Sequence, residues 1–528
     1  MKGTVEFARF NGWGEAPAEP KSFRGLMRFQ DGDSVQKIRA RQEPGPTGKG
    51  ILLAFLCLSA AFCGCSPSIA PDALIVTQSP RGTHKEPCDI VDNLYPSGSR
   101  IILARGVTGN NNIRLLSPGL FAAGGAVTSY DGKRIVFAAK AQPKDHWQIY
   151  EASLDGVRLK RLTSLPGGCM DPALLPDGNL LFVSPVQKAF GTKCLNCGPS
   201  LYVQKPGTPP HQLTFGNIGV SNPTVLADGR ILFVGSTPNA ISNGPPRLAL
   251  YTVNSDGTEI SSFAGQHDKP TTIHRPRELG DGRIVFLTSD SVTSSIGTPE
   301  FVSSAAPFRG RKPLLANSTL VRSVEPGLNS KLLVCGLSSE PTGDSSHRCS
   351  LFSVEPEGGS LGTPILHHLE WDEIEAIPAV SIRRPMGRLS NVDLGKKTGQ
   401  ILCLNANQTS YGSSKRFHEL RAARVRIFTE ISREQRLDLG AVELQADGSF
   451  MAEVPANVPL GFEALDDHGN VIRRDPPLVW VRPGENRSCI GCHEPHNYAP
   501  RNLRPMAVRV PVPRLVATGS VALAENQR

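Results

Sequence analysis

The 528-residue chain reads as an all-β protein: a β-propeller of about six blades, then a small antiparallel β-sandwich, then a short C-terminal segment. Three observations predict this. A turn-plus-strand motif opening on Asp-Gly recurs four times in the middle of the chain, at spacings of 46, 51 and 53 residues. Beyond Pro385 the sequence changes to short runs that alternate apolar and polar residues between turns. No long 3.6-residue periodicity appears, while 52 glycines and 44 prolines supply turns throughout.

The first 65 residues are set aside as a leader. Ile51 to Phe62 is a short apolar run preceded by Arg39, Arg41 and Lys49 and followed by the small residues Gly64-Cys65-Ser66. That is the layout of a secretory signal, and the run is too short for a transmembrane helix. Phe62-Cys63-Gly64-Cys65 resembles a bacterial lipobox, which makes Cys65 the residue that would carry lipid and anchor the protein to a membrane. The expected location is therefore the periplasm or outer face of a bacterium, as a lipoprotein. The residues before about Arg39 make the leader unusually long.

About 460 residues follow, enough for two or three domains. Of the net charge of +9, the first 64 residues hold +3, and the remaining Lys and Arg are scattered rather than gathered into a stripe. This argues against nucleic acid as a partner.

The propeller is assigned to residues 66–385. Asp131-Gly132 precedes Lys133 to Phe137, Asp177-Gly178 precedes Asn179 to Val183, Asp228-Gly229 precedes Arg230 to Val234, and Asp281-Gly282 precedes Arg283 to Leu287. Each is a tight turn feeding an apolar, β-branched strand. A second strand follows at Trp147 to Tyr150, Ser200 to Val203 and Leu248 to Val253, then another turn at Asp155-Gly156 or Asp256-Gly257. Weaker copies at Pro96 to Ala104 and at Lys331 to Cys335 with Cys349 to Val354 extend the array to about six units. A lone blade cannot bury both faces, so a closed ring is expected. These Asp-Gly pairs are read as turn builders. Asp171-Pro172 and Asn222-Pro223 recur at one offset before consecutive turns, where the chain enters a blade.

Residues 386–485 are assigned to the sandwich, from Ile401 through Val425 to Phe428, Val442 to Gln445, Asp447 to Pro455 and Leu460 to Asp466, with a turn at His468-Gly469-Asn470. Residues 486–528 hold Cys489-Ile490-Gly491-Cys492-His493, the C-x-x-C-H spacing of c-type haem attachment. Two thiols three positions apart add to the two vinyl groups of one porphyrin, and the next residue presents an imidazole to the iron. Cys489 and Cys492 are thus the tethers and His493 the axial ligand of one covalent haem. The opposite ligand stays open among Met506, His468, Tyr498, the pair His367-His368 and no protein ligand. His496 is too close to His493 in sequence to reach the far face.

Seven cysteines remain outside the leader and the haem pair: Cys88, Cys169, Cys194, Cys197, Cys335, Cys349 and Cys403. Export makes disulfides the default, with Cys335 to Cys349 a bridge across one blade hairpin. Cys194-Leu195-Asn196-Cys197 has the spacing of half a zinc site, but no second pair or nearby histidine completes it, and a disulfide or loop staple is favoured over zinc. No nucleophile triad, phosphate loop or H-E-x-x-H motif is present, which removes hydrolase and nucleotide-dependent readings.

The blade motifs resemble the WD40-like repeats of TolB-type propellers. Taken with Ala446-Asp447-Gly448-Ser449-Phe450, Val454-Pro455-Ala456, Ala464-Leu465-Asp466, Arg482-Pro483-Gly484-Glu485 and Ser488 to Glu494, the whole is similar to the hydrazine synthase alpha-subunit-like family. The resemblance implies an exported multidomain protein with a central propeller and c-type haem toward the C-terminus. It also implies tyrosine ligation and a nearby zinc at the family's active haem, for which Tyr498 is the residue to watch. That subunit belongs to a larger complex and carries more than one haem, whereas one C-x-x-C-H occurs in this sequence. The expected role is therefore electron transfer to a redox partner protein docked on the propeller. The alternatives are a haem-dependent redox enzyme acting on a small nitrogen or oxygen compound, and a propeller that only binds.

Overall fold

The computed structural model describes residues 72–83, 94–105, 112–185, 188–189, 192–193, 198–237, 246–266, 272–292, 294–316, 319–338, 348–356, 359–409, 421–430, 436–492 and 502–516. All belong to the compact unit Pro67–Arg528. Cys65, His493 and Tyr498, with His496, Cys88, Cys194 and Cys197, lie outside the described residues.

Six sheets form the propeller. Numbered from the blade that closes the ring, their first strands are Trp371–Pro378, Ala122–Thr128, Met170–Leu174, Gly219–Val225, Thr272–Glu278 and Val321–Pro326, and each touches the next until the last meets the first. This closes the ring, so that each blade is covered on both faces by its neighbours. Closure uses a strand from each end of the domain: Trp371–Pro378 pairs antiparallel with Leu74–Pro80, which leads to Arg100–Arg105 and Asn112–Leu115 in the same blade.

The repeated residues have repeated work. In each motif the Asp side chain accepts a hydrogen bond from the backbone N–H two positions on, at 3.1 Å for Asp131 and 3.0 Å for Asp177, Asp228 and Asp281. The following strand places Phe137, Phe182, Phe233 and Phe286 at 0% exposure between neighbouring blades. Three of them stack on the tyrosine directly across the ladder, Phe137 on Tyr150, Phe182 on Tyr202 and Phe233 on Tyr251, with centroids 5.9 to 6.2 Å apart. Gly229 adopts φ of +84°, and a Cβ there would strike the Met386 carbonyl. The connector after the propeller crosses these turns, with Ile382 N–H donating to the Tyr130 carbonyl and Met386 N–H to that of Ala227.

The second domain packs a three-strand sheet (Phe450–Pro455, Thr398–Cys403, Asn486–Cys489) on a four-strand sheet (Arg436–Glu443, Arg424–Glu430, Leu460–Leu465, Val471–Val479). Ile401, Ile427, Leu439, Ala452, Val454 and Leu460 fill the space between. The sheets depart from the purely antiparallel expectation at one pair. Thr398–Cys403 runs parallel to Asn486–Cys489, because the chain crosses the second sheet before returning. The expected haem segment is therefore not a separate tail at its start: residues 486–489 are a strand of the sandwich.

Trp480 joins the two domains. Its ring, 1% exposed, packs with Phe215 and Leu213 from the third blade, and its indole N–H donates to the Gly257 carbonyl at 2.8 Å. Around it Arg482 Nε donates to the Asp256 carbonyl, Glu259 N–H to Glu485, and Arg487 to the Ile260 carbonyl. On the four-strand sheet Glu463, with 0% side-chain exposure, accepts from Arg436 at 2.6 and 2.8 Å, Arg426 at 3.1 Å and Arg474 at 2.6 Å. Hydrogen bonds from Arg436, reinforced by the Arg charges, hold its carboxyl down at about 2.

Trp480→Ala is expected to lower stability by about 3–5 kcal/mol and to speed proteolysis of the 380–397 connector, read by thermal unfolding and timed digestion. Glu463 stabilises the fold fully above its unfolded pKa of about 4.3, and that contribution is lost as pH falls through about 2. Unfolding midpoints measured from pH 6 to pH 2 should therefore fall more steeply in the native chain than in Glu463→Gln.

Candidate functional site

The C-x-x-C turn starts where the sandwich ends. Cys489 is the last residue of its strand and stands opposite Cys403 in the parallel ladder. The turn is then pinned to the 404–408 loop: Leu404 N–H donates to the Cys489 carbonyl at 2.9 Å, Asn405 N–H to that of Ile490 at 3.2 Å, and Cys492 N–H to that of Gln408 at 2.9 Å. Gly491 is required by space, since a Cβ would stand 2.5 Å from the Gln408 oxygen. Backbone pairing thus fixes the two cysteines on one turn, each partly exposed.

The environment of Cys492 is specific. Its Sγ donates to Asp475 Oδ2 at 3.0 Å, across to the second sheet. Burial pushes the thiol pKa well up, and the Asp475 charge and hydrogen bond add to it. At neutral pH Cys492 is a protonated, positioned thiol. A pair of thiols on one rigid turn, presented at a domain edge, fits the donor set of a covalent haem.

Of the residues the sequence nominated, the structure brings together Cys489 and Cys492. The other ligand candidates disperse. Met506 sits on a strap that returns after the motif and is tied down where its N–H donates to Asp447 and Ala507 N–H donates to Ser449. His468 lies in the turn after Leu460–Leu465. His367 bonds Arg348 and Ser350, and His368 bonds Glu373 and Gln78, all on the propeller. The expected Cys335 to Cys349 bridge is not formed: Cys335 faces Leu351 and Cys349 faces Leu337, two positions out of register. Arg322 Nε donates to the Cys349 sulfur at 3.3 Å. Asp475, Gln408 and Cys403 were not nominated, because each reaches the turn from another strand or loop. The one signal was Cys403 itself, an unassigned cysteine in an apolar run.

A second polar cluster occupies the propeller axis. Asp171, Asn222 and Arg275 adopt φ of 49°, 47° and 50°, each before a proline, which bulges the first strand of three successive blades. Asn222 N–H donates to Asp171 Oδ2 at 2.8 Å, Arg275 N–H donates to Asn222 Oδ1 at 3.2 Å, and Arg275 Nη1 meets Glu375 Oε2 at 3.3 Å. Burial raises the Asp171 carboxyl pKa. The recurring Asp-Pro and Asn-Pro pairs therefore mark ring-forming bulges, consistent with a structural role.

Removing the Asp475 charge should lower the Cys492 pKa. In Asp475→Asn, the pH profile of Cys492 alkylation in the haem-free chain is expected to move to lower pH, measured by peptide mass spectrometry with Cys169 as a buried internal reference.

Comparison with known proteins follows the same outline. Residues 395–494 match the family model described as the hydrazine synthase alpha subunit middle domain. The chain is similar to the hydrazine synthase subunit alpha of Kuenenia stuttgartiensis, with 22% identity over 539 residues, covering 80% of this chain and 65% of that protein. It thus spans just under two thirds of that relative. The solved structure of Kuenenia stuttgartiensis hydrazine synthase superposes with a TM-score of 0.71 at 18% identity, over 83% of this chain and 72% of that one. TolB from Acinetobacter baumannii gives a TM-score of 0.40 at 15% identity, over 59% and 68%.

Proposed function

We propose, from the match of residues 395–494 to the hydrazine synthase alpha subunit middle domain, an exported c-type haem redox protein with one covalent haem. The observation that carries this reading is the Cys489 to Cys492 turn, held by backbone hydrogen bonds inside the matched domain. Cys489 and Cys492 would tether the porphyrin, and His493, next in sequence, would supply an imidazole to its iron. Haem iron held this way provides a one-electron couple and, where its sixth position is open, a binding position for a small molecule.

The residues around the turn contribute position. The bonds from Leu404, Asn405 and Cys492 remove freedom from the tethers, and Asp475 orients the Cys492 thiol. Electron transfer to a partner protein, with the propeller as the docking scaffold, is the first reading. Lipid at Cys65 would keep the protein at a membrane surface in the periplasm or on the cell exterior. A second reading is favoured by the matched relative: redox catalysis on a small nitrogen or oxygen compound at the same haem, with Tyr498 as a candidate iron ligand. Zinc is not required by either.

The test is maturation of the full chain with c-type haem machinery. Haem that resists acid-acetone extraction, with an absorbance ratio of one per chain, is expected in the native protein and is lost in Cys489→Ala/Cys492→Ala. Extractable haem or none in the native chain sinks the proposal. Carbon monoxide then separates the readings: an unchanged ferrous spectrum favours electron transfer, and a shifted Soret band favours catalysis.

A further inference from the structure

A third thiol stands beside the tethers. Cys403 and Cys489 occupy the same rung of the parallel ladder between Thr398–Cys403 and Asn486–Cys489. Strands in a sheet lie about 4.7–4.9 Å apart, inside the Cα separation of about 4.4–6.8 Å that a disulfide spans. Both side chains face the sandwich interior: Cys403 is 3% exposed within the core, and Cys489 packs against that core from the edge. Cys492, by contrast, is turned to Asp475 on the other sheet. The pairing that aligns the two cysteines is the ladder itself.

We propose that Cys403 is an oxidative modification site that forms a disulfide with Cys489 in the chain before haem is attached. The reaction is thiol–disulfide exchange with an oxidant of the dithiol-oxidase class, or with oxidised glutathione. The Cys403 and Cys489 S–H bonds break, one S–S bond forms between them, and the two electrons and two protons convert the oxidant's disulfide to two thiols. A dithiol reductant reverses it. While it persists, the Cys489 sulfur has no hydrogen to add across a vinyl group, so attachment at that position waits for reduction. This consequence rests on the haem reading above; the cross-link itself does not.

The experiment uses the full chain made without haem, equilibrated in a glutathione redox buffer, quenched with iodoacetamide and digested with trypsin. The expected product joins the peptide 398–415, which holds Cys403, to the peptide 488–501, which holds Cys489 and Cys492. It should survive in Cys492→Ser and vanish in Cys489→Ser and Cys403→Ser. A Cys489 to Cys492 disulfide with Cys403 alkylated, or a cross-link that survives in Cys489→Ser, overturns the assignment. In cells that mature c-type haem, Cys403→Ser should raise the haem-loaded fraction about twofold where half of the native chains are cross-linked. Cross-linking without haem in either chain would refute the haem reading and leave the disulfide standing. Haem loading without any cross-link would do the reverse.

Discussion

Closure of the ring depends on the buried carboxylate of Glu375. It lies in the last strand of the propeller, 6% exposed, and accepts from Thr77 in the first strand, Tyr95, the backbone N–H of Gly125 in the second blade, and Arg275 in the fifth. A buried charge costs several kcal/mol unless its lone pairs are filled. Only the closed ring brings these donors together, since they come from segments as far as 298 residues apart. Arg277 with Glu325 at 2.6 Å links the fifth blade to the sixth by the same logic. The axis is therefore a set of satisfied charges whose partners belong to different blades, so that losing one blade strands the charges of its neighbours.

From this rigid ring the rest of the molecule is built outward. The outer turns of the third and fourth blades offer a carbonyl at Gly257 and an apolar wall at Phe215, and Trp480 fills the space between them. Trp480 directly follows Val471–Val479 and lies six residues before the strand Asn486–Cys489. The same segment thus docks the sandwich on the propeller through Trp480, Arg482 and Arg487 and then delivers the two thiols to the sandwich edge. The strap that carries Met506 and Leu515 returns to the neighbouring strand, where Glu453 N–H donates to the Pro513 carbonyl and Leu515 N–H to that of Glu453. Both sides of the motif are in this way anchored to one sheet.

What could be read from the chain followed the range of the interactions. Asp-Gly turns and the strand after them are local, so Asp131, Asp177, Asp228 and Asp281 mark four blades. The strand Leu74–Pro80 carries no such turn, and its role in closure appears only when Trp371–Pro378 pairs with it. The inferred bridge between Cys335 and Cys349 failed on register: a two-residue offset decides whether two cysteines face each other, and the loop between their strands does not reveal it. Asp171 and Asn222 were noticed because a repeated dipeptide stood out. Arg275-Pro276 is the third member of that series, hidden by the change of side chain although the backbone conformation is the same.

By itself the sequence determined the β class, an array of about six blades, the order of propeller and sandwich and the C-x-x-C-H spacing, because turns, strand alternation and thiol spacing are short-range chemistry. Tertiary structure decided the neighbours of those thiols. Asp475 reaches Cys492 from the opposite sheet, and Cys403 meets Cys489 only through a parallel pairing between strands more than eighty residues apart. Parallel pairing needs a long crossover and leaves no local mark in the chain. The chemistry available to the motif, which thiol is held by a carboxylate and which has a second sulfur at hand, is therefore a property of the fold.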